Sequence, residues 1–354
     1  VPSPAESGSH WTVVSADGRA SRWHVSDGEA ERVAESESLP ADSQPVVVTG
    51  EGSGEAEPRL LRPPNDMAAR TSSMVALAGN PRSAKLLYVA ANGDLVIAGE
   101  ARERLSVDAL TDGRLAALGD GRYALFTDPT DRYAHGALGD TTEGTTLTVI
   151  DPASASIDWQ TMLEAPRVFE GLQPLVADLD DDGDPELVTT VADSADGARI
   201  AVFSAEGERI ASGPIYGPGW RHQLAVAPFP PDGRPELAVV RKPHVDHLLE
   251  WYRLESGSLE ITATVDGFST HTYGSRILDG ALAGDFDGDG RVEALVPSTE
   301  RTTLAAVRRT ADGASVGWRK SLDGPVQSNV TGIALADGVA VGVGTGSSVS
   351  IWQG

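Results

Sequence analysis

Apolar residues along the chain fall in short runs rich in Val, Leu, Ala and Ile, each bounded by Gly, Asp, Asn or Pro. Trp11–Val14, Val46–Thr49, Lys85–Ala90, Leu147–Ile150, Ile200–Phe203, Leu237–Val240 and Leu304–Val307 are such runs, and this composition and spacing read as β-strands. Hairpin signals separate neighbouring runs at Ala16-Asp17-Gly18, Ala91-Asn92-Gly93-Asp94, Ala205-Glu206-Gly207 and Ala311-Asp312-Gly313. No long window carries the 3.6-residue period of an amphipathic helix, so the chain is predicted to be all-β.

The runs belong to a larger repeat. An apolar strand, an acidic or Gly-rich turn and a second apolar strand recur as LQPLVADLDDDGDPELVTTVA (172–192), HQLAVAPFPPDGRPELAVV (222–240) and DGALAGDFDGDGRVEALV (279–296). Weaker copies put further starts near 45, 74, 114 and 332, beside the strong ones near 174, 222 and 279. Seven copies of about four strands each predict a single seven-bladed β-propeller over residues 1–354, with six or eight blades as the alternative counts. A β-sandwich pair or a β-solenoid is the competing arrangement. The last copy runs out of strands at Ile351-Trp352, so residues 10–30 are expected to complete the last blade and remove an exposed sheet edge. Residues 1–9 are expected to be flexible.

Composition narrows the function classes. The 52 Asp plus Glu outnumber the 28 Lys plus Arg, giving a net charge of −24 that repels phosphate backbones and argues against nucleic-acid binding. No apolar run approaches the 18 residues of a membrane span. Cysteine is absent, which excludes disulfides, thiolate metal sites and cysteine nucleophiles. Lysine occurs only at Lys85, Lys242 and Lys320, so nearly all the positive charge is arginine, whose planar fork suits carboxylate or phosphate. The chain opens VPSPAESGSH without Met, as a mature form lacking its targeting segment would.

Two turns carry a metal-binding pattern. Asp178-Leu179-Asp180-Asp181-Asp182-Gly183-Asp184-Pro185-Glu186 and Asp285-Phe286-Asp287-Gly288-Asp289-Gly290-Arg291-Val292-Glu293 share D-x-D-x-D-G-x-x-E. Alternate carboxylates on a tight loop converge, the glycine allows the bend, and a carbonyl at position 7 with Glu at position 9 can complete an oxygen cage for Ca²⁺. An EF-hand needs Glu at position 12, where this chain has Thr189 and Val296. The turns resemble the loops of FG-GAP or VCBS repeats in bacterial and integrin-α-like β-propellers. That resemblance implies two structural calcium sites, with ligands Asp178, Asp180, Asp182, Asp184 and Glu186, and Asp285, Asp287, Asp289, Arg291 (through its carbonyl) and Glu293. It also implies a secreted or periplasmic protein. In the 228–236 turn, Pro228 and Pro230 stand where the first two acids belong, and no ion is expected there.

In a propeller, the inter-blade loops share a face with the loops joining the second and third strands, and ligands gather there. Four of the seven His fall in those segments, among many Arg. Arg132, His135, Arg221, His222, Lys242, His244, His271, Tyr273, Arg276 and Arg301 therefore form a candidate basic ligand face. Such a face suits a protein partner or an anionic carbohydrate, held by Arg forks and aromatic stacking. His244 and His247, with Asp246, form an H-x-x-H pair that lacks a third good zinc ligand. The competing functional classes are a polysaccharide lyase or hydrolase using His222 or His271 with Tyr273, and a purely structural scaffold. A monomer is expected.

Overall fold

The computed structural model describes residues 1–354 apart from 6, 37, 42, 49–58, 69–73, 77–84, 276, 337 and 354. The backbone is almost entirely extended, and its single short helical turn covers Gly136–Leu138. Each apolar run picked out above lies in a strand, apart from Lys85 and Ala90, which flank the strand Leu86–Val89, and Thr49, which is outside the described residues. The chain forms two compact units, residues 1–129 with 144–160 and residues 130–143 with 161–354.

Unit 1 begins with a four-stranded sheet of β1 (Pro2–Pro4), β2 (Ser9–Val14), β3 (Ala20–Ser26) and β4 (Glu29–Ser36), paired in sequence order. Next come the pair β5 (Val46–Val48) and β6 (Arg59–Leu61) and the sheet of β7 (Met74–Ala76), β8 (Leu86–Val89), β9 (Asp94–Ala98) and β10 (Arg102–Ser106). β11 (Ala116–Ala117), β12 (Tyr123–Thr130), β13 (Glu143–Asp151) and β14 (Ser156–Met162) complete the series.

Near the start of the chain, β1 pairs with β2, and Val1 and Thr12 exchange backbone hydrogen bonds at 2.8 and 2.9 Å. Pro2 and Pro4 fit because β1 is an edge strand, where a missing N–H leaves no ladder bond unmade. The strands of residues 10–30, expected in the last blade, lie instead in a sheet with β1 and β4. The local turns at Asp17-Gly18 and Asp27-Gly28 reverse the chain directly, so each strand pairs with its sequence neighbour before any distant one is available. The strands fall into eight successive groups among the described residues, one of the alternative counts.

Unit 2 holds four meanders. They are β15 (Val168–Ala177) to β18 (Arg209–Ser212) through β16 (Glu186–Asp193) and β17 (Gly197–Phe203), and β19 (Arg221–Ala227), β20 (Glu236–Arg241), β21 (Leu248–Glu255) and β22 (Ser258–Asp266). The third contains β23 (Leu282–Gly284), β24 (Glu293–Pro297), β25 (Thr303–Thr310) and β26 (Gly313–Ser321). The last is β27 (Thr331–Leu335), β28 (Gly338–Gly344) and β29 (Val349–Gln353).

These sheets bury both faces, which is why their inner strands read as continuous apolar runs and not as alternation. On β20, Leu237 and Val239 pack with Val188, Ile200 and Val202 of the preceding sheet. Ala238 and Val240 point the other way, against Ala294, Val296, Ala305 and Val307 of the following one.

A glycine contact sets the entry to β19. Gly197 (φ +98°) bridges Gly217 in parallel, and a Cβ there would lie 2.3 Å from the Gly217 carbonyl carbon. Gly233 also has positive φ (+75°) but nothing within 4 Å of its Cβ position. Gly233→Ala is expected to lose only the roughly 1–2 kcal/mol of left-handed strain, and Gly197→Ala distinctly more. Urea unfolding of both variants checks this, and equal losses would remove the contact's role.

Candidate functional site

Three consecutive sheets of unit 2 build their first turn in the same way. The residue at position 2 of each turn, Leu179, Phe229 or Phe286, is buried and joins the core beside its sheet. The residue at position 9, Glu186, Glu236 or Glu293, is also buried, at the first position of β16, β20 or β24. Glu186 Oε2 accepts the Leu179 N–H at 2.7 Å, and Glu293 Oε2 accepts the Phe286 N–H at 3.1 Å. Asp178 accepts the N–H groups of Asp181, Asp182 and Gly183 (2.7, 3.2 and 3.0 Å). Asp285 does the same for Gly288, Asp289 and Gly290 (2.8, 3.2 and 2.8 Å).

Carboxylate oxygens of Asp178, Asp180 and Glu186 lie within 4.8 Å of one another, as do those of Asp285, Asp287 and Asp289. The other predicted ligands border these groups: Asp182 acts on Asp180, and Glu293 shares Arg308 with Asp287 and Asp289. Asp182 Oδ1 accepts the Asp184 N–H at 2.9 Å, and Glu293 is engaged by Phe286 and Arg308. The two turns differ in charge balance. Burial, with the neighbouring Asp carboxylates adding to it, pushes Glu186 up to about 7, against the pull of the Leu179 N–H. Burial and the Asp182 charge raise Asp180 as well. Burial raises Glu293 too, but the Phe286 N–H and Arg308 oppose it. Arg308 places Nη2 2.8 Å from Asp287 and 2.6 Å from Glu293, and Nη1 2.9 Å from Asp289. In the 228–236 turn, Glu236 meets Arg253 at 2.9 Å and Arg309 at 2.8 Å, while Arg253 also reaches Asp232 at 3.2 Å.

Three members of the candidate basic face, Arg221, His222 and His271, are buried. Arg221 is 0 % exposed and His222 2 %. Arg221 Nη1 donates to the Gly219 carbonyl, and its Nε and Nη2 are buried with no hydrogen-bond partner among the described residues. His222 Nε2 donates to the Leu278 carbonyl at 2.7 Å, so its Nδ1 accepts from the Thr270 hydroxyl at 2.7 Å. Trp220 stacks on that ring, centroids 4.3 Å apart. His271 Nε2 donates to the Ser275 carbonyl at 2.8 Å, leaving Nδ1 to accept from His244 Nε2 at 3.0 Å. The acid–base roles suggested for His222 and His271 meet rings whose nitrogens are already partnered. His244, offered as half of a zinc pair with His247, faces His271 and Tyr273 instead.

The structure thus brings His244, His271 and Tyr273 together, with Arg301 beside them. Arg132 Nη2 donates to the carbonyls of Leu163 (3.3 Å) and Arg167. Lys242 lies 3.8 Å from Asp246. Arg301 lines a small cavity with His271, Thr270 and Ser275. Tyr273 is exposed, and Arg276 lies outside the described residues.

His135 pairs through Nδ1 with Glu170, which raises its pKa against burial. Glu170 is buried, and its Oε2 has no hydrogen-bond partner among the described residues. Burial, reinforced by the Glu170 charge, raises Glu143 well above the usual carboxylate range, although its Oε2 accepts the Gly171 N–H at 3.2 Å. Glu250, buried on β21, takes Arg241 Nη1 at 2.8 Å and the Tyr252 hydroxyl at 2.6 Å. Sequence reading missed Glu143, Glu170, Glu250 and Arg308. The available signal was a lone charge inside an apolar strand, as in Val168-Phe169-Glu170 and Leu248-Leu249-Glu250-Trp251.

No protein-family model matches the chain, and no curated protein matches it. Among solved structures it is similar to BamB from Moraxella catarrhalis, with 12 % identity, 100 % of this chain and 93 % of that one covered, and a TM-score of 0.51. At that identity the likeness establishes the fold alone, a β-propeller.

Burial lowers His271 to about 4, so the folded ring stays neutral where an unfolded one, near 6.5, binds a proton. Its contribution to stability is present above pH 6.5 and lost as the pH falls toward 4. Replacing it, as in His271→Gln, should flatten the acid limb of the stability profile by up to about 1.4 kcal/mol per pH unit. Urea unfolding between pH 4 and 7 measures the slope; an unchanged slope would contradict the buried neutral ring.

Proposed function

We propose that the chain is a calcium-stabilised, extracytoplasmic β-propeller of the FG-GAP or VCBS kind, acting as an interaction module whose partner is a protein. One observation carries the choice of partner: Arg221, His222 and His271 are buried, while the loops that carry the candidate cations expose apolar and aromatic groups. Val245 is 72 % exposed and Tyr273 64 %, beside His244. Tyr216 and Ile215 are exposed ahead of Trp220 and Arg221, with the Tyr216 ring 4.3 Å from the Arg241 guanidinium. Rigid tyrosines backed by arginine are the usual anchors of protein interfaces, whereas an acidic glycan needs outward-facing forks.

A photo-crosslinking residue at Tyr273 or Val245 is expected to capture one protein partner, and Tyr216→Ala should weaken that capture. The same residue at exposed Met162 should capture none. Equal capture at all three positions, or retention of an acidic polysaccharide instead, would overturn the protein reading.

The 178–186 turn fits a hard cation held by oxygen. Its acids crowd together, Glu186 is buried, and no Lys, Arg or His among the described residues pairs with Asp178, Asp180, Asp182, Asp184 or Glu186. Asp178, Asp180 and Glu186 would hold the ion, which would offset part of the turn's negative charge and fix it on the core. The extracytoplasmic location follows from this, since such sites fill where free calcium is plentiful. Calcium is expected to raise the melting temperature, and excess EGTA to lower it; a melt indifferent to both would count against the assignment.

A further inference from the structure

The resemblance of the turns to FG-GAP or VCBS loops implies calcium in both D-x-D-x-D-G-x-x-E turns, but the residues around the second do not fit it. We infer that Arg308 is the resident cation of the 285–293 turn and that this turn takes no calcium.

The argument starts from strand register. Glu293 of β24 lies opposite Arg308 of β25. In the preceding sheet, Leu237 lies opposite Tyr252, so the next pair is Glu236 with Arg253. In the sheet before that, Leu187 lies opposite Phe203, so the residue opposite Glu186 is Ser204. The same place in three successive hairpins therefore holds Arg, Arg and Ser. Side-chain contacts follow this register. Arg308 reaches position 3 (Asp287), position 5 (Asp289) and position 9 (Glu293) of its turn. Arg253 reaches position 5 (Asp232) and position 9 (Glu236). Ser204 instead accepts the Glu206 N–H at 3.2 Å within its own turn.

Calcium takes six to eight oxygens. In the 285–293 turn each carboxylate oxygen of Asp285, Asp287, Asp289 and Glu293 already has a donor. Asp285 takes three loop N–H groups. Asp287 Oδ1 and Asp289 Oδ1 accept the N–H groups of Asp289 (3.3 Å) and Arg291 (3.0 Å). Phe286 N–H takes Glu293 Oε2, and the Arg308 guanidinium takes Asp287 Oδ2, Asp289 Oδ2 and Glu293 Oε1. A divalent ion would have to expel the guanidinium or sit beside a like charge. The proline-bearing 228–236 turn has acids only at positions 5 and 9, Asp232 and Glu236, and arginines pair with both.

The inference is independent of whether the 178–186 turn binds calcium, and calcium titration of the full chain by calorimetry separates the two. Asp287→Asn with Asp289→Asn is expected to leave the number of bound calcium ions unchanged. Arg308→Ser, which copies Ser204, is expected to bind one ion more than wild type, and adding Asp287→Asn with Asp289→Asn should remove the gain. Loss of an ion from the Asn pair alone would overturn the inference, as would Arg308→Ser that keeps the wild-type circular dichroism and gains none. The Asn pair decides the matter even if Arg308→Ser does not fold. Wild type binding no calcium while Arg308→Ser binds one would sink the 178–186 reading and leave this one standing.

Discussion

A carboxylate buried where a turn enters the core needs a counter-charge, and much of unit 2 is arranged around that need. Glu186, Glu236 and Glu293 each sit at the start of an inner strand with both faces of the sheet packed against neighbours. An isolated buried charge is far costlier than a paired one, so the surroundings must donate hydrogen bonds and positive charge. One N–H comes from the turn itself at Glu186 and Glu293, from the residue whose side chain plugs the core. At Glu236 two arginines bind the carboxylate, and the Phe229 N–H turns to the Ala227 carbonyl instead.

The same constraint shapes the cluster around β15 and β19 to β21. Glu170, Glu143 and Glu250 are buried, and His135, the Gly171 N–H and Arg241 answer them in turn. Arginine suits this work because its fork serves two oxygens at once and stays charged when buried. Cations used in this way cannot also face a ligand. The rim is left to groups with no internal charge to serve, such as Tyr216, Val245 and Tyr273, and that division separates an interior held by charge from a surface open to contact.

Much of the fold was legible because its signals are local. The D-G and N-G turns and the short apolar runs dictate hairpins from a few adjacent residues, and both acidic turns are visible as spacing alone. The number of strand groups was not legible, since residues 2–36 carry turns adequate for a sheet of their own, and whether they use them depends on pairing energies that spacing does not express. The basic face failed in a different way. Arg221 and His222 were placed by loop position, but loop position says nothing about whether a side chain turns toward solvent or toward an orphaned carbonyl such as those of Gly219 and Leu278.

By itself, then, the sequence determined an all-β repeat architecture, the two acid-rich turns, and the exclusion of thiolate chemistry, because periodicity, turn chemistry and composition are properties of neighbouring residues. The tertiary structure decided which turn keeps an unbalanced charge. Arg308 is 15 residues from Glu293 along the chain and joins it only when β24 and β25 pair, whereas the pairing of β16 with β17 sets Ser204 opposite Glu186. Two turns with one motif therefore differ through residues outside it, because electrostatic balance is a sum over neighbours in space and not along the chain.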